Sequence, residues 1–251
     1  MLPNEIEMPF IDHIEELRQR LLKSFWAVLV AAISSLIVVK PIVKFLEAPA
    51  GSIRFLQVAP GEFLVVSIKV ACYTGITISI PFILFQGLAF VLPGLTTRER
   101  NLIAPAVAGS GILFIGGLLF AWWALVPAAL SFLINYGADV VEPIWSIERY
   151  LDFVITLMLA TGLAFQLPVL QLLLGILGLI NTKAMISSWR WVLITTACAS
   201  AVLTPSTDPI TMLLLSVAIS SLFIVGLGLV SLTEKFKEDI LPTPPPNAEE
   251  G

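Results

Sequence analysis

The chain has 251 residues, 57% hydrophobic and 13% charged, with a formal net charge of −4 and a mean hydropathy of +0.95. Soluble domains carry about 25% charge, so the composition excludes an ordinary globular enzyme or nucleic-acid-binding module. It points instead to an all-α integral membrane protein. Cys72 and Cys198 lie in apolar runs and read as small buried hydrophobes. A lone histidine, His13, offers a metal site nothing to build on, and neither a phosphate-binding GxxxxGK[ST] loop nor an HExxH pair is present.

An amphipathic helix over about 10–23 opens the chain. Phe10, Ile14, Leu17 and Leu21 recur along one face, while Asp12, Glu16, Arg20 and Lys23 line the other with alternating sign. The acidic start (Glu5, Glu7, Asp12) does not fit a cleaved signal peptide, whose first residues are basic. The first charge-free run is Ser24–Val39, closed by Lys40-Pro41. From Pro41 to Glu62 a mixed loop carries Pro49, and its apolar content predicts that it folds back on the membrane interface. A second span runs from Phe63 to Leu92, with Lys69 snorkelling near its start and Pro81 expected to kink it. After Pro93-Gly94 and the charged Thr96–Arg100 connection, a third span is expected to end near residue 126, followed by a loop over 127–149.

The fourth span, Leu151–Gly178, is broken by Pro168. Asn181–Arg190 forms a polar connection next to Trp189 and Trp191, as in an interfacial aromatic belt. The fifth run, Trp191–Leu203, is short: at 1.5 Å per residue it reaches ~20 Å against a hydrocarbon core of ~30 Å. A tight turn at Thr204–Pro209 leads to the sixth span, Ile210–Leu232, and the tail from Thr233 reads as solvated and partly disordered. The expected organisation is one six-span domain over 1–238 with a partly disordered tail at 239–251.

Six spans place both termini on one side. Arg18, Arg20, Lys23, Arg98, Arg100, Lys183, Arg190, Lys235 and Lys237 fall on that side, nine cations against Lys40, Lys44, Arg54 and Arg149 opposite. The positive-inside rule therefore puts the termini in the cytoplasm or its equivalent.

The spans carry no chain of ionisable groups that could relay protons. Gln86, Gln166 and Gln171 are the main polar intruders, readable as interhelical hydrogen bonds or as a groove for a partner helix. Glu16 can pair with Arg20 one turn on, and Thr96-x-x-Glu99 matches a capping box. Alternatively, two carboxylates on separate cytoplasmic elements can accept guanidinium groups in a bidentate geometry that lysine does not reproduce. Spacing leaves both readings open. Asp208-Pro209 is a standard helix opening.

Five segments stand out in order: His13-Ile14-Glu15-Glu16-Leu17-Arg18-Gln19-Arg20; Ala48-Pro49; Phe90-Val91-Leu92-Pro93-Gly94-Leu95 with Arg98-Glu99-Arg100; Phe165-Gln166-Leu167-Pro168-Val169; and Leu203-Thr204-Pro205 with Asp208-Pro209. Taken together they resemble the TatC family of the twin-arginine protein translocase. The match runs from about residue 10 to 232. The resemblance implies a receptor, not an enzyme and without a cofactor, for folded precursors bearing twin-arginine signal peptides. It maps the arginine-contacting glutamates onto Glu16 and Glu99, with Leu17, Arg18 and Phe90 in the same motifs. Pro49, Gln166, Thr204 and Asp208 match further family positions, with Pro49 and Asp208 on the opposite side of the membrane. Implied partners are single-span TatA- and TatB-type subunits, membrane lipids and further copies in a larger complex, with no nucleic acid and with transport driven by the proton-motive force. Two departures stand out: many members carry glutamate where this chain has Gln166, and many carry glutamine where Thr211 is followed by Met212. The Gln166 and Thr-Pro-Ser-Thr-Asp-Pro forms resemble cyanobacterial or plastid-type members, which implies an inner cell membrane or a thylakoid membrane. Rival readings are a small-solute secondary transporter, for which the spans supply few polar groups, a membrane enzyme, for which they supply no nucleophile–base pair, and a membrane scaffold without signal binding.

Overall fold

A computed structural model describes residues 10–51, 53, 55–91, 97–136, 144–205 and 208–240, with side chains over 12–51, 53, 55–90, 108–136, 144–205 and 208–235. The described residues are almost entirely helical. Five segments are long and apolar enough to cross a bilayer: Asp12–Ile37, Glu62–Phe90, Ala108–Asn135, Ile147–Ile176 and Pro209–Lys235. The shorter apolar helix Trp189–Leu203 is the sixth. The chain forms two compact units, residues 1–112 with 143–155, and residues 113–142 with 156–251.

In the first unit, α1 (Phe10–Ile37) is one unbroken helix that carries the charged lead-in straight into the first span. Its apolar stripe does not face the protein: Ile14, Leu17 and Leu21 are exposed, while Glu16 and Arg20 are each about a quarter exposed. The polar face turns inward and the apolar face outward, as suits a helix whose surroundings are lipid. Along its length α1 packs on α3 (Glu62–Val91). That helix is continuous through Pro81. After the turn at Val38, α2 (Val39–Glu47) buries Val39, Val43 and Leu46. Burial pushes the Glu47 carboxyl above its ordinary value, partly offset by the Lys44 charge. Pro49 sits in a 3-10 turn, Ala48–Ala50, that ends at Gly51 with φ 61°.

The rest of this unit is held by contacts far apart in sequence. Strand β1 (Phe55–Leu56) pairs in parallel with β2 (Trp145–Ser146), Phe55 opposite Trp145. Glu62 locks the pair. One of its oxygens accepts from the Val58 and Ala59 amides, and the other accepts from Ser146 Oγ at 2.7 Å. Tyr150, fully buried, donates to the Leu46 carbonyl at 2.8 Å. Lys69 does not simply snorkel: its Nζ lies 2.7 Å from Glu148 and 2.9 Å from Asp152, both on α6 (Ile147–Ala164).

In the second unit, the third span runs past residue 126. Helix α4 (Thr97–Phe120) passes through a five-residue π-helical turn, Ala121–Leu125, into α5 (Val126–Asn135). Pro127 therefore does not end the helix. Proline breaks an α-helix by removing a donor and crowding the preceding turn, and the wider π turn just before it accommodates both. The expected loop begins only after Tyr136, and residues 137–143 lie outside the described part. At Pro168 the break is real: α6 ends at Ala164, and α7 (Leu167–Ile176) opens with Pro168 in its first turn. Helix α8 (Thr182–Ser187) is capped by Asn181, whose side chain accepts from the Ala184 amide at 2.8 Å. Helix α9 (Trp189–Leu203) follows, burying only Thr196 and Ser200.

The last helix, α10 (Pro209–Ile240), has 32 residues and extends beyond the expected end of the sixth span into the supposed tail. Thr233 is buried there, and Glu234 accepts from the Thr182 amide at 2.8 Å, so a tertiary contact holds a stretch that composition alone marks as solvated. Residues 241–251 lie outside the described part. Both cysteines are exposed on their helices, contrary to the burial expected from their apolar neighbours. In a membrane span an apolar neighbourhood in sequence faces lipid as readily as protein.

Candidate functional site

Three turns of α1 and the last two turns of α3 form a polar cluster in the first unit. The inward face of α1 is set by the i, i+3, i+7 spacing of His13, Glu16 and Arg20. Glu16 Oε1 accepts from Arg20 Nε at 2.9 Å and from Arg20 NH2 at 2.5 Å. The third edge of that guanidinium, NH1, donates to Gln86 Oε1 on α3 at 3.0 Å. Gln86 is itself buried. The His13 ring stacks on Phe90, 4.2 Å between centroids and 18° between planes, and its Nδ1 lies 3.9 Å from Glu16 Oε2. Glu16 Oε2 is enclosed and accepts no hydrogen bond among the described residues.

The outer face of the same turns carries a separate pair. Arg18 NH1 bonds both oxygens of Glu15, at 2.9 and 3.2 Å, with both side chains well exposed. Leu17 stands exposed between the two faces. Thus the structure brings together Glu16 and Phe90, places Leu17 and Arg18 on the adjoining outer surface, and adds three residues whose site role the sequence did not mark: Arg20, Gln86 and His13. The available signals were the spacing that lets Glu16 pair with Arg20 and a glutamine near the cytoplasmic end of an apolar span. Glu99 falls on the first turn of α4, and its side chain lies outside the described residues.

The other family-matching positions stand apart from this cluster in sequence and in role. Pro49 fixes the turn after α2. Gln166 occupies the break before α7, where its carbonyl accepts from the Leu170 amide at 3.0 Å. In the second unit, Thr204 is buried and donates to the Ser200 carbonyl at 2.9 Å. Asp208 is almost wholly buried, caps α10 by accepting from the Thr211 amide at 2.7 Å, and also accepts from the Thr211 hydroxyl. No group of three or more His, Cys, Asp or Glu side chains poised for a metal occurs among the described residues.

The family model described as "Sec-independent protein translocase protein (TatC)" matches residues 12–217. The chain belongs to the TatC family. A TatC protein of Synechocystis sp. is 51% identical over 93% of this chain and 92% of its own length. The chloroplastic TATC of Arabidopsis thaliana is 47% identical over 92% of this chain and 69% of its own length. A crystal structure titled as the twin arginine translocase receptor TatC superposes with a TM-score of 0.76 at 28% identity, covering 88% of this chain and 99% of that one. TatC membership makes the chain a multispan membrane component of a protein translocase, with a transport role. The six-span reading agrees with the likeness to that solved TatC structure.

Proposed function

We propose that this protein is the receptor subunit of a twin-arginine translocase, binding the signal peptides of folded precursor proteins at the cytoplasmic membrane face. Glu16 is one jaw of the site and Glu99 the second. The observation that carries the reading is the Glu16 carboxylate. It stands on a helix at the cytoplasmic end of the first span, with one oxygen held by Arg20 and Gln86 nearby, and with the other oxygen enclosed and accepting no hydrogen bond among the described residues. An arginine side chain supplies a planar donor fork that suits such an acceptor, whereas lysine supplies a compact point charge. Phe90 and His13 form one wall of the cluster, and Leu17 and Arg18 present the outer surface to the peptide. No catalytic chemistry is assigned to the chain.

Residues 1–238 act as one membrane domain. Its partners are single-span subunits of the TatA and TatB types, lipids and further copies of itself, and the proton-motive force drives transport. The membrane is the inner cell membrane or a thylakoid membrane, in keeping with cyanobacterial and chloroplast relatives.

Photocrosslinking tests the site. A probe beside residue 16 should capture a twin-arginine precursor, and Glu16→Ala or Glu99→Ala should abolish capture while the protein still inserts. Losing one charge-assisted hydrogen bond of ~1.5–3 kcal/mol weakens binding about tenfold to a hundredfold. Wild-type capture by the double variant would remove both residues from the site. Equal affinity for peptides with paired lysines would argue for a point-charge site.

A further inference from the structure

We propose that Arg20 is a built-in competitor for the Glu16 carboxylate, and that this competition sets the preference for arginine over lysine in the bound peptide. The inference rests on the receptor reading above and adds a specificity-determining residue to it.

The geometry of Arg20 is that of a ligand rather than of a surface pair. Its guanidinium spends Nε and NH2 on one oxygen of Glu16, at 2.9 and 2.5 Å, and NH1 on Gln86 Oε1 of α3 at 3.0 Å. Both charged side chains are about three-quarters buried. The neighbouring Glu15–Arg18 pair has the same composition, yet both members are exposed and neither reaches α3. Arg20, unlike Arg18, bridges two helices, filling an acceptor set with the three donor nitrogens of one plane.

Two consequences follow. First, the Glu16 charge is already neutralised before any peptide arrives, so an incoming ammonium meets a near-neutral pair and gains little from charge alone. Second, a side chain that displaces Arg20 must satisfy both Glu16 Oε1 and Gln86 Oε1. Another guanidinium does so edge for edge, because the donor plane is the same. A lysine ammonium has three tetrahedral donors on one atom and leaves an acceptor short, which is costly in an enclosed site. Exchange of arginine for arginine is therefore nearly even, while exchange of lysine for arginine is uphill. Glu16 Oε2, enclosed and without a hydrogen bond among the described residues, is a further acceptor for the guanidinium that takes the place of Arg20.

Removing the competitor should relax the choice. The experiment uses the full chain in lipid nanodiscs with two fluorescent peptides, one carrying paired arginines and one carrying paired lysines. Arg20→Gln should tighten the lysine peptide about tenfold or more and the arginine peptide less, so that the arginine-to-lysine affinity ratio falls by about tenfold, the size of one charge-assisted bond. Arg20→Lys keeps the charge but cannot bridge Glu16 and Gln86, and should give an intermediate ratio; it serves as the second variant if Arg20→Gln lowers the unfolding temperature. An unchanged ratio in both folded variants overturns the proposal, as does weaker binding of both peptides, which would make Arg20 a support of the site. Glu16→Gln separates the two readings. If it leaves arginine-peptide binding intact, the receptor site itself is misplaced; if it abolishes binding while the Arg20 ratio stays unchanged, only the competition fails.

Discussion

Gly75 on α3 lies against the backbone of Ala32 on α1 with no room for a side chain between them. A Cβ at position 75 would stand 2.5 Å from the Ala32 nitrogen, 2.6 Å from its Cα and 2.7 Å from its Cβ. Close backbone approach at a small residue is how helices associate where lipid removes the hydrophobic driving force. The same contact holds α1 at the distance at which Arg20 reaches Gln86. Gly75→Val should therefore cost about 1–3 kcal/mol by overpacking, read as a lower unfolding temperature in nanodiscs. It should also weaken signal-peptide binding without touching a site residue. Unchanged peptide affinity in the destabilised variant would show that the cluster tolerates a shifted α1.

A second close approach occurs within the other unit. A Cβ on Gly226 of α10 would fall 1.5 Å from Gln171 Oε1 and 3.1 Å from the Pro168 Cα. Gln171 is buried, so its amide has been packed into the space that Gly226 leaves. Gly226→Ala should destabilise the protein by about 1–3 kcal/mol, and Gln171→Ala placed in the same chain should recover part of the loss, because the flexible side chain accounts for the worst contact. The remainder belongs to the Pro168 backbone, which cannot move aside. A thermal-unfolding double-mutant cycle measures the coupling; strictly additive effects would refute the shared space.

These contacts show which parts of the molecule were legible in the sequence. Local chemistry could be read directly: the break at Pro168, the Asp208 cap and the short α9 all follow from a few adjacent residues. The end of the third span could not, because Pro127 is a breaker only in α geometry and the Ala121–Leu125 turn is π-helical. The inward face of α1 was also hidden. Periodicity locates an apolar stripe but does not say whether lipid or protein receives it, and here Ile14, Leu17 and Leu21 face out while Glu16 and Arg20 face in. Residues joined across long separations left no local trace: Lys69 with Glu148 and Asp152, Glu62 with Ser146, Arg20 with Gln86.

Lys69 makes the energetic side of that last point testable. One ammonium neutralises two carboxylates one turn apart on α6, within segments apolar enough to cross a bilayer. Removing the cation leaves two like charges one turn apart on α6, whereas removing all three charges leaves none to repel. Lys69→Met should lower the unfolding temperature. The triple variant Lys69→Met, Glu148→Gln, Asp152→Asn should recover most of it. A triple variant no more stable than Lys69→Met would mean that the loss comes from the missing ion pairs and not from repulsion between the two remaining carboxylates.

Asp208 offers the sharpest division between folding and transport. Its carboxylate caps α10 through the Thr211 amide and hydroxyl, and it is almost completely buried at the start of a 32-residue helix. Replacing an N-cap aspartate by alanine costs about 0.5–2 kcal/mol, while asparagine caps about as well. Asp208→Ala should therefore lower the unfolding temperature, and Asp208→Asn should restore it. The transport assay then separates two roles for the same residue. If Asp208→Asn also restores export of a twin-arginine precursor, the carboxylate serves the helix alone. Should it fold normally and still fail to export, the negative charge acts beyond capping, and the turn before α10 becomes a second functional surface to be mapped by crosslinking from Thr204 and Met212.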